Sequence, residues 1–566
     1  MEQQSGRGPS GVREAKERRE CGGKPEKSSR KPQDKSGKAV VSFRLRESGS
    51  RQIQKHTFEK NRSAAEDRNC RMINDVRPAG YLQIHCSTRP AFMLERKRRR
   101  FMEDKATAKM DTMPVGRLLG SMALPMMLSM LGQALYNVVD TLYVSRIPDA
   151  GEMAITALTL AFPIQMVIMA LGVGTGVGVN ALVARLLGMG KRREASNAAG
   201  NALFVSLLYF LGLFFFGLFG ARAFILSQTQ NGQIAEMGIV YTRIISVYSL
   251  GTLGYMCLEK ITVATGRTKI TMMTQIAGAL TNIILDPILI YGWIGFPAMG
   301  VRGAAIATVV GQFVSLIMLG VLYLRKDPIL AIHLTDFKPR REILAPLCHV
   351  GLPAIAMQIL VPIMSYSMNR ILAMISEAAV TAYGIYYKLQ NFIFMPAYGL
   401  NNASIPIISY SYGAGHKDRI HTCIRWALID VTLIMAAGVV LLEGFPSPIV
   451  SLFAVTADTA GICVMALRLI SWGFFFAGVN IILQGVCQAL GQGTCSLFIS
   501  LMRFIIVPLP MAFLLSKIAQ AQIYVWLSIP AGEALGALLA LFLTLSWYAR
   551  EPHEERARQG TIVRTY

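Results

Sequence analysis

Two stretches decide the architecture: "TALTLAFPIQMVIMALGVGTGVGVNALVARLLGMGKRRE" at 156–194 and "TAYGIYYKLQNFIFMPAYGLNNASIPIISYSYGAGHKDR" at 381–419. Aligned at an offset of 225, Thr156, Ala157, Gln165, Gly174, Gly188 and Gly190 meet Thr381, Ala382, Gln390, Gly399, Gly413 and Gly415. The same offset carries Ala264 and Gly266 onto Ala489 and Gly491. Near the start of each copy, Leu124 and Pro125 meet Leu352 and Pro353 at an offset of 228. One shared offset across separated segments marks an internal duplication.

Both stretches are long, apolar and almost free of charge. The whole chain shares that character: 53% of residues are hydrophobic and 16% charged, with a mean hydropathy of +0.42. A bilayer crossing needs about 20 mainly apolar residues. Twelve such stretches follow one another at 117–145, 154–187, 193–224, 234–262, 268–292, 299–324, 344–375, 378–411, 418–445, 459–489, 494–516 and 522–549. The expected fold is therefore an all-α polytopic membrane protein, with twelve helices in two six-helix bundles. Each copy holds an even number of spans, so both copies insert the same way and a pseudo-two-fold axis runs along the membrane normal. Two bundles facing each other leave a cleft that rocking exposes to one side and then the other.

The charges sit outside these spans. Residues 1–110 carry 28 Lys and Arg against 14 Asp and Glu, a large part of the chain's net +23. They are rich in Gly, Ser and Pro and poor in aromatics, so burial cannot offset their chain entropy, and a disordered basic arm is expected. The "ERKRRR" run at 95–100 fits an anionic inner membrane face better than nucleic acid. "MEDKATAKMDTMPVGRLLGSMALPMM" from Met102 reads as a natural lead into the first span. A chain starting at Met102 is accordingly expected to transport as well as the full one, measured side by side. Beyond the arm, the expected parts are a first lobe at 111–325, a linker at 326–343, a second lobe at 344–550 and a tail at 551–566.

Connections on one side hold "GKRREA", "GRTK", "RKDPILAIHLTDFKPRRE" and "GHKDRIH", about 15 Lys or Arg with their flanks, against about 4 on the other (Arg146, Arg222, Arg302, Lys517). The positive-inside rule puts both termini in the cytoplasm. The longest of these connections is too short for a nucleotide-binding domain, so uphill movement must draw on an ion gradient. "GVGTGVG" at 172–178 superficially resembles a phosphate loop, but no strand precedes it, and small residues four apart suit close helix contact in lipid. The nine cysteines show no C-x-x-C and the seven histidines no metal spacing. No cofactor and no catalytic residue is expected.

Within "NIILDPILIYG" at 282–292, Asp286 stands in an apolar run and Pro287 follows it. A charge at a helix centre costs about 2.5–3.5 kcal/mol on insertion scales, so something must use it. Asp140 lies 23 residues beyond Arg117, and Asp286 19 beyond Arg267. At about 1.5 Å per residue the two acids reach similar depths. Asn137 and Asn282 stand three and four residues before them, each on its acid's helical face. Pro287 frees the carbonyl of Ile283. Two carboxylates with neutral oxygens suit Na⁺, yet the pair could equally share a proton, or each could simply tie helices together. Thr308 in "AAIATVVG" offers a further hydroxyl.

Glu259 and Lys260 are expected near the inner end of span four, reaching the interface. Arg370, Lys388, Arg503 and Glu533 lie deeper, lining the cleft or pairing. At the 228 offset, Asp140 meets Met368, so the copies differ chemically. Abundant methionine with Gln133, Tyr136, Gln165, Gln275, Gln358, Tyr366 and Gln390 gives an adaptable wall for amphipathic ligands, each of these residues having ordinary packing as its plain alternative.

"LPMMLSMLGQALYNVVDTLYVSRI", the segment from "GVG" to "ARLLGMGKRREA", "NIILDPILIYG" and a spaced Pro, Gln and Gly pattern in the second half resemble the multidrug and toxic compound extrusion family over residues 110–550. The resemblance implies an antiporter that exports cationic drugs against Na⁺ or H⁺, with Asp140, Asn282, Asp286 and Thr308 as an amino-lobe cation site. One branch of that family carries acids on helices seven and ten. Here Val361 and Pro362 stand near the first position and span ten has no acid, so the chain is more similar to the bacterial branch of DNA-damage-inducible members. A monomer in the cell membrane, with small amphipathic molecules and lipid as partners and no nucleic acid, is the expectation. A lipid-linked saccharide flippase, which would want a cationic cleft, and a channel are the alternatives.

Overall fold

The computed structural model describes residues 40–42, 83–85, 109–148, 150–325, 330, 334–453, 455–518 and 520–562. The chain divides into two compact units, Met1–Arg98 and Arg99–Tyr566. In the first, Val40–Ser42 (β1) pairs antiparallel with Gln83–His85 (β2), Val41 opposite Ile84. The rest of the basic arm, and with it the expected disorder and the alternative start at Met102, lies outside the described residues.

The second unit is helical. Its elements are α1 (Val115–Ser145), α2 (Gly151–Gly188), α3 (Arg192–Leu226), α4a and α4b (Gly232–Val247 and Leu250–Ala264), α5 (Thr268–Tyr291) and α6 (Val301–Arg325). The second half repeats the order with α7 (Arg341–Ala373), α8 (Glu377–Gly413), α9 (Lys417–Gly444), α10a and α10b (Ala457–Ser471 and Gly473–Ala489), α11 (Gly493–Leu515) and α12 (Ala521–Trp547). Helices dominate because lipid offers backbone groups no hydrogen-bond partner, so each span must satisfy its own. Among the described residues, nine helices are long and apolar enough to cross a bilayer, and ten if the pair bent by 48° between Ser471 and Gly473 is one span. The two further stretches expected from sequence are α4, interrupted at Tyr248–Ser249, and α8, which carries Lys388, Gln390, Asn391, Asn401 and Asn402.

The duplication is visible in where the helices stop. α3 and α9 start 225 residues apart, at Arg192 and Lys417, and α5 and α11 likewise, at Thr268 and Gly493. The break in α4 after Val247 has its counterpart at Trp472 in α10. The six-residue helix Ala221–Leu226 that closes α3 has its counterpart in Pro446–Ser451 after α9. The matched glycines now have a reason: Gly190, Gly415, Gly266 and Gly491 all take φ between 74° and 84°, a left-handed conformation in which a Cβ is strained.

The two halves meet along α2 against α7 and α8 against α1. Small residues let the backbones touch. A Cβ on Gly174 would lie 2.7 Å from the Ile355 amide nitrogen, one on Gly178 2.7 Å from the Leu347 carbonyl, and one on Gly399 2.6 Å from the Met127 Cα. Gly188 abuts the Tyr410 carbonyl, while Gly413 abuts that of Arg185. The "GVGTGVG" segment is therefore a packing surface inside α2. Arg185 also stacks 4.6 Å over the Tyr412 ring, closing the seam at its basic-loop end.

Between the halves, Leu334–Phe337 forms one 3₁₀ turn pinned to α3. Asn201 Nδ2 donates to the carbonyls of Asp336 (3.0 Å) and Lys338 (3.2 Å), and Asn201 Oδ1 accepts from the Arg340 amide at 2.9 Å. Arg193 pairs with the buried Asp336 carboxylate at 2.9 Å. Gly200 leaves room for this turn, since a Cβ there would lie 2.7 Å from the Asp336 carbonyl oxygen. The six described cysteines Cys257, Cys348, Cys423, Cys463, Cys487 and Cys495 are free thiols.

Candidate functional site

α1, α5 and α6 bring polar groups together inside the first half. α5 is apolar on its lipid side, where Leu280 and Ile284 are exposed, and buries Asn282 and Asp286 on the face towards α1 and α6. Asp286 is fully buried, and its carboxyl faces that of Asp140 within hydrogen-bonding reach. Two carboxyls approach so closely only with a proton or a cation between them. Asp140 Oδ1 is shielded from solvent without a hydrogen-bond partner among the described groups.

Asn282 bridges the remaining members. In the orientation that satisfies its amide, the nitrogen donates to Asp286 Oδ2 at 3.2 Å and the oxygen accepts from the Thr308 backbone amide at 3.1 Å. Thr308 Oγ1 lies 3.4 Å from the amide nitrogen in the opposite orientation. Close packing holds the three helices in place: Gly278 of α5 lies where a Cβ would be 2.7 Å from the Gly311 carbonyl of α6. Of the residues expected at this site, Asp140, Asn282, Asp286 and Thr308 are gathered. Asn137 is not: its side chain is exposed, and its carbonyl accepts from Thr141 Oγ1 at 2.8 Å. A three-residue step turns Asn137 about 60° away from Asp140 around α1, enough to take it off the α5 face.

Tyr241 of α4a joins the site although it carries no charge and belongs to no motif. Buried to 2% exposure, it stands with Tyr136 beside both acids, and its hydroxyl accepts from Gln165 Nε2 of α2 at 2.6 Å. Its only sequence signal is a tyrosine in the middle of an apolar span. Below the acids, Gln275 Nε2 donates to Gln133 Oε1 at 2.9 Å and Ser129 Oγ donates to Gln275 Oε1. These two glutamines thus satisfy each other across α1 and α5. On the opposite half, Gln358 and Tyr366 of α7 are exposed, Tyr366 to 70%, while Gln390 of α8 is half-buried.

The other charges are sorted by the fold. Arg370 and Lys388 are exposed. Arg503 and Glu533, both buried, form a two-pronged pair, Nε to Oε2 at 2.7 Å and Nη2 to Oε1 at 2.9 Å. Asn480 Nδ2 donates to Glu533 Oε2 at 2.8 Å, and Arg503 Nη1 donates to Gln484 Oε1 at 3.2 Å, which joins α10b, α11 and α12. Glu259 and Lys260 do not reach the interface: each is 5% exposed, because α4b is enclosed between α2, α6 and α3.

The MatE family model matches residues 125–288 and 353–514, one match in each half. The multidrug export protein MepA of Staphylococcus aureus is 24% identical over 451 residues, covering 78% of this chain and 96% of that protein. A protein of Shewanella oneidensis described as an FAD transporter is 27% identical over 414 residues, covering 72% and 89%. Among solved structures, an outward-facing multidrug resistance MATE family transporter of the MOP superfamily superposes with a TM-score of 0.73 at 25% identity, covering 77% of this chain and 97% of that one. With both halves matched by the family model and the twelve-helix plan shared with solved relatives, the chain belongs to the multidrug and toxic compound extrusion (MATE) family, whose members are membrane transporters and not enzymes.

Proposed function

We propose that this protein exports amphipathic, mainly cationic small molecules across the cell membrane by alternating access, in exchange for Na⁺ or H⁺ taken up at Asp140 and Asp286. The facing carboxyls, one with a shielded, unpartnered oxygen, carry this reading. A cation or proton entering between the acids cancels their repulsion and lets α1 and α5 close together. Its departure drives them apart. Tyr136, Tyr241 and Gln165 connect that site to α2, which lines the seam between the halves. Ion occupancy and cargo access are thereby placed on the same helices. Gln358, Tyr366 and Gln390 form the opposing cargo wall. The distribution of basic residues supports termini on the cytoplasmic side, and the chain works as a monomer.

The test is reconstitution in vesicles with Na⁺ and pH gradients imposed separately, following a fluorescent cationic dye. Dye accumulation driven by at least one gradient is expected. Dye movement indifferent to both gradients overturns the coupling. A parallel measurement with FAD, suggested by the Shewanella relative, asks whether the cleft accepts an anionic cargo; transport of FAD in place of the dye overturns the cationic preference.

A further inference from the structure

Lys260 lies on the seam between the halves. Its ammonium donates to Asn402 Oδ1 of α8 at 3.3 Å and stands 3.5 Å from Glu259 Oε2 of its own helix. Its stem runs over Gly176 of α2, where a Cβ would come within 2.7 Å of the Lys260 Cγ. Glu259 Oε1 is shielded from solvent without a hydrogen-bond partner among the described groups. A charged pair out of water is stable only when further hydrogen bonds compensate its desolvation. Here one compensating bond comes from the other half of the molecule, and one oxygen has none. The pair is complete only as long as α8 stays seated against the first half.

We propose that Lys260, fixed by Glu259, is a positioning residue that holds the seam closed through Asn402 and so sets how often the basic-loop side opens. With the halves together, Asn402 Oδ1 accepts a hydrogen bond from one of the three ammonium N–H groups. When α8 swings away, water replaces Asn402 and reaches the unsatisfied oxygen of Glu259. The bond across the seam therefore opposes opening, while the incomplete solvation of Glu259 favours it. The net bias is small, as a reversible cycle requires. Asn402 is the point at which a substitution shifts that bias without removing a buried charge.

This inference rests on the alternating-access reading, and its test needs neither cargo nor gradient. Spin labels are placed at Lys191→Cys, in the turn that follows α2, and at Asp418→Cys, in the first turn of α9 just beyond α8, and distances are measured in nanodiscs. Asn402→Ala is expected to raise the long-distance population about tenfold, the order that a hydrogen bond to a charged group carries. Asn402→Asp, which turns the contact into an ion pair, is expected to lower it and to slow maximal dye export with little change in KM. Shifts in the same direction, or an unchanged distribution in Asn402→Asp, overturn the proposal. Where Asn402→Ala fails to insert, Asn402→Asp decides alone. If the distances stay fixed while Asp286→Asn still uncouples transport, the latch fails and the exchange reading stands; if the distances shift while Asp286→Asn exports normally, the reverse holds.

Discussion

Asp286→Asn is expected to reduce gradient-driven dye export to the level of empty vesicles while leaving the protein folded. The substitution keeps the shape of the side chain and its contact with Asn282, which lies within hydrogen-bonding reach of Asp286. It removes the one property the mechanism uses, a charge that appears and disappears. An amide neither takes up a proton at working pH nor contributes a negative charge to a bound Na⁺. Removing one of two facing acids also relieves their mutual repulsion, so the melting temperature in detergent is not expected to fall. Asp140→Asn should behave alike, because its carboxyl faces the same contact. The check is dye export in everted vesicles beside size-exclusion profiles of the purified variants. Export at the native rate by either variant would remove the site from the mechanism.

Arg503→Met is expected to be the most destabilising single change in the second half. Glu533 would remain buried with Asn480 as its hydrogen-bonding neighbour and no counter-charge. Breaking a buried pair from one side costs about 3–5 kcal/mol, whereas replacing both partners by apolar residues of similar volume is often neutral. Arg503→Met with Glu533→Leu should accordingly recover most of the lost thermal stability, and with it dye export, because no charge in this cluster is assigned to coupling. Melting in detergent for both single variants and the pair closes the cycle. A double variant as unstable as the singles would mean that the pair does more than satisfy itself.

The fold was legible because its two signals are local. Long apolar stretches give the spans, and glycines such as Gly190 and Gly415 recur because a left-handed turn demands them in both copies. Asp140 and Asp286 were legible for the opposite reason, as residues an apolar helix would not otherwise tolerate. What sequence could not show is direction around a helix axis. Asn137 sits three residues from Asp140 yet faces away, while Tyr241 arrives from another helix altogether. Glu259 and Lys260 looked interfacial because they stand near a helix end. Their burial depends on α2, α3 and α6 packing around α4b, with Asn402 of α8 capping Lys260.

The 3₁₀ turn at Leu334–Phe337 has a mechanical consequence. Held by Asn201 and Arg193, the connector travels with the first half up to Arg340, one residue before α7 begins. For the alternating-access cycle proposed above, the covalent tether between the halves is thus a short hinge pin at Arg340. On the alternating-access reading proposed above, rotation of the second half would be centred on the foot of α7, with the largest arc swept at the far rim of the cleft.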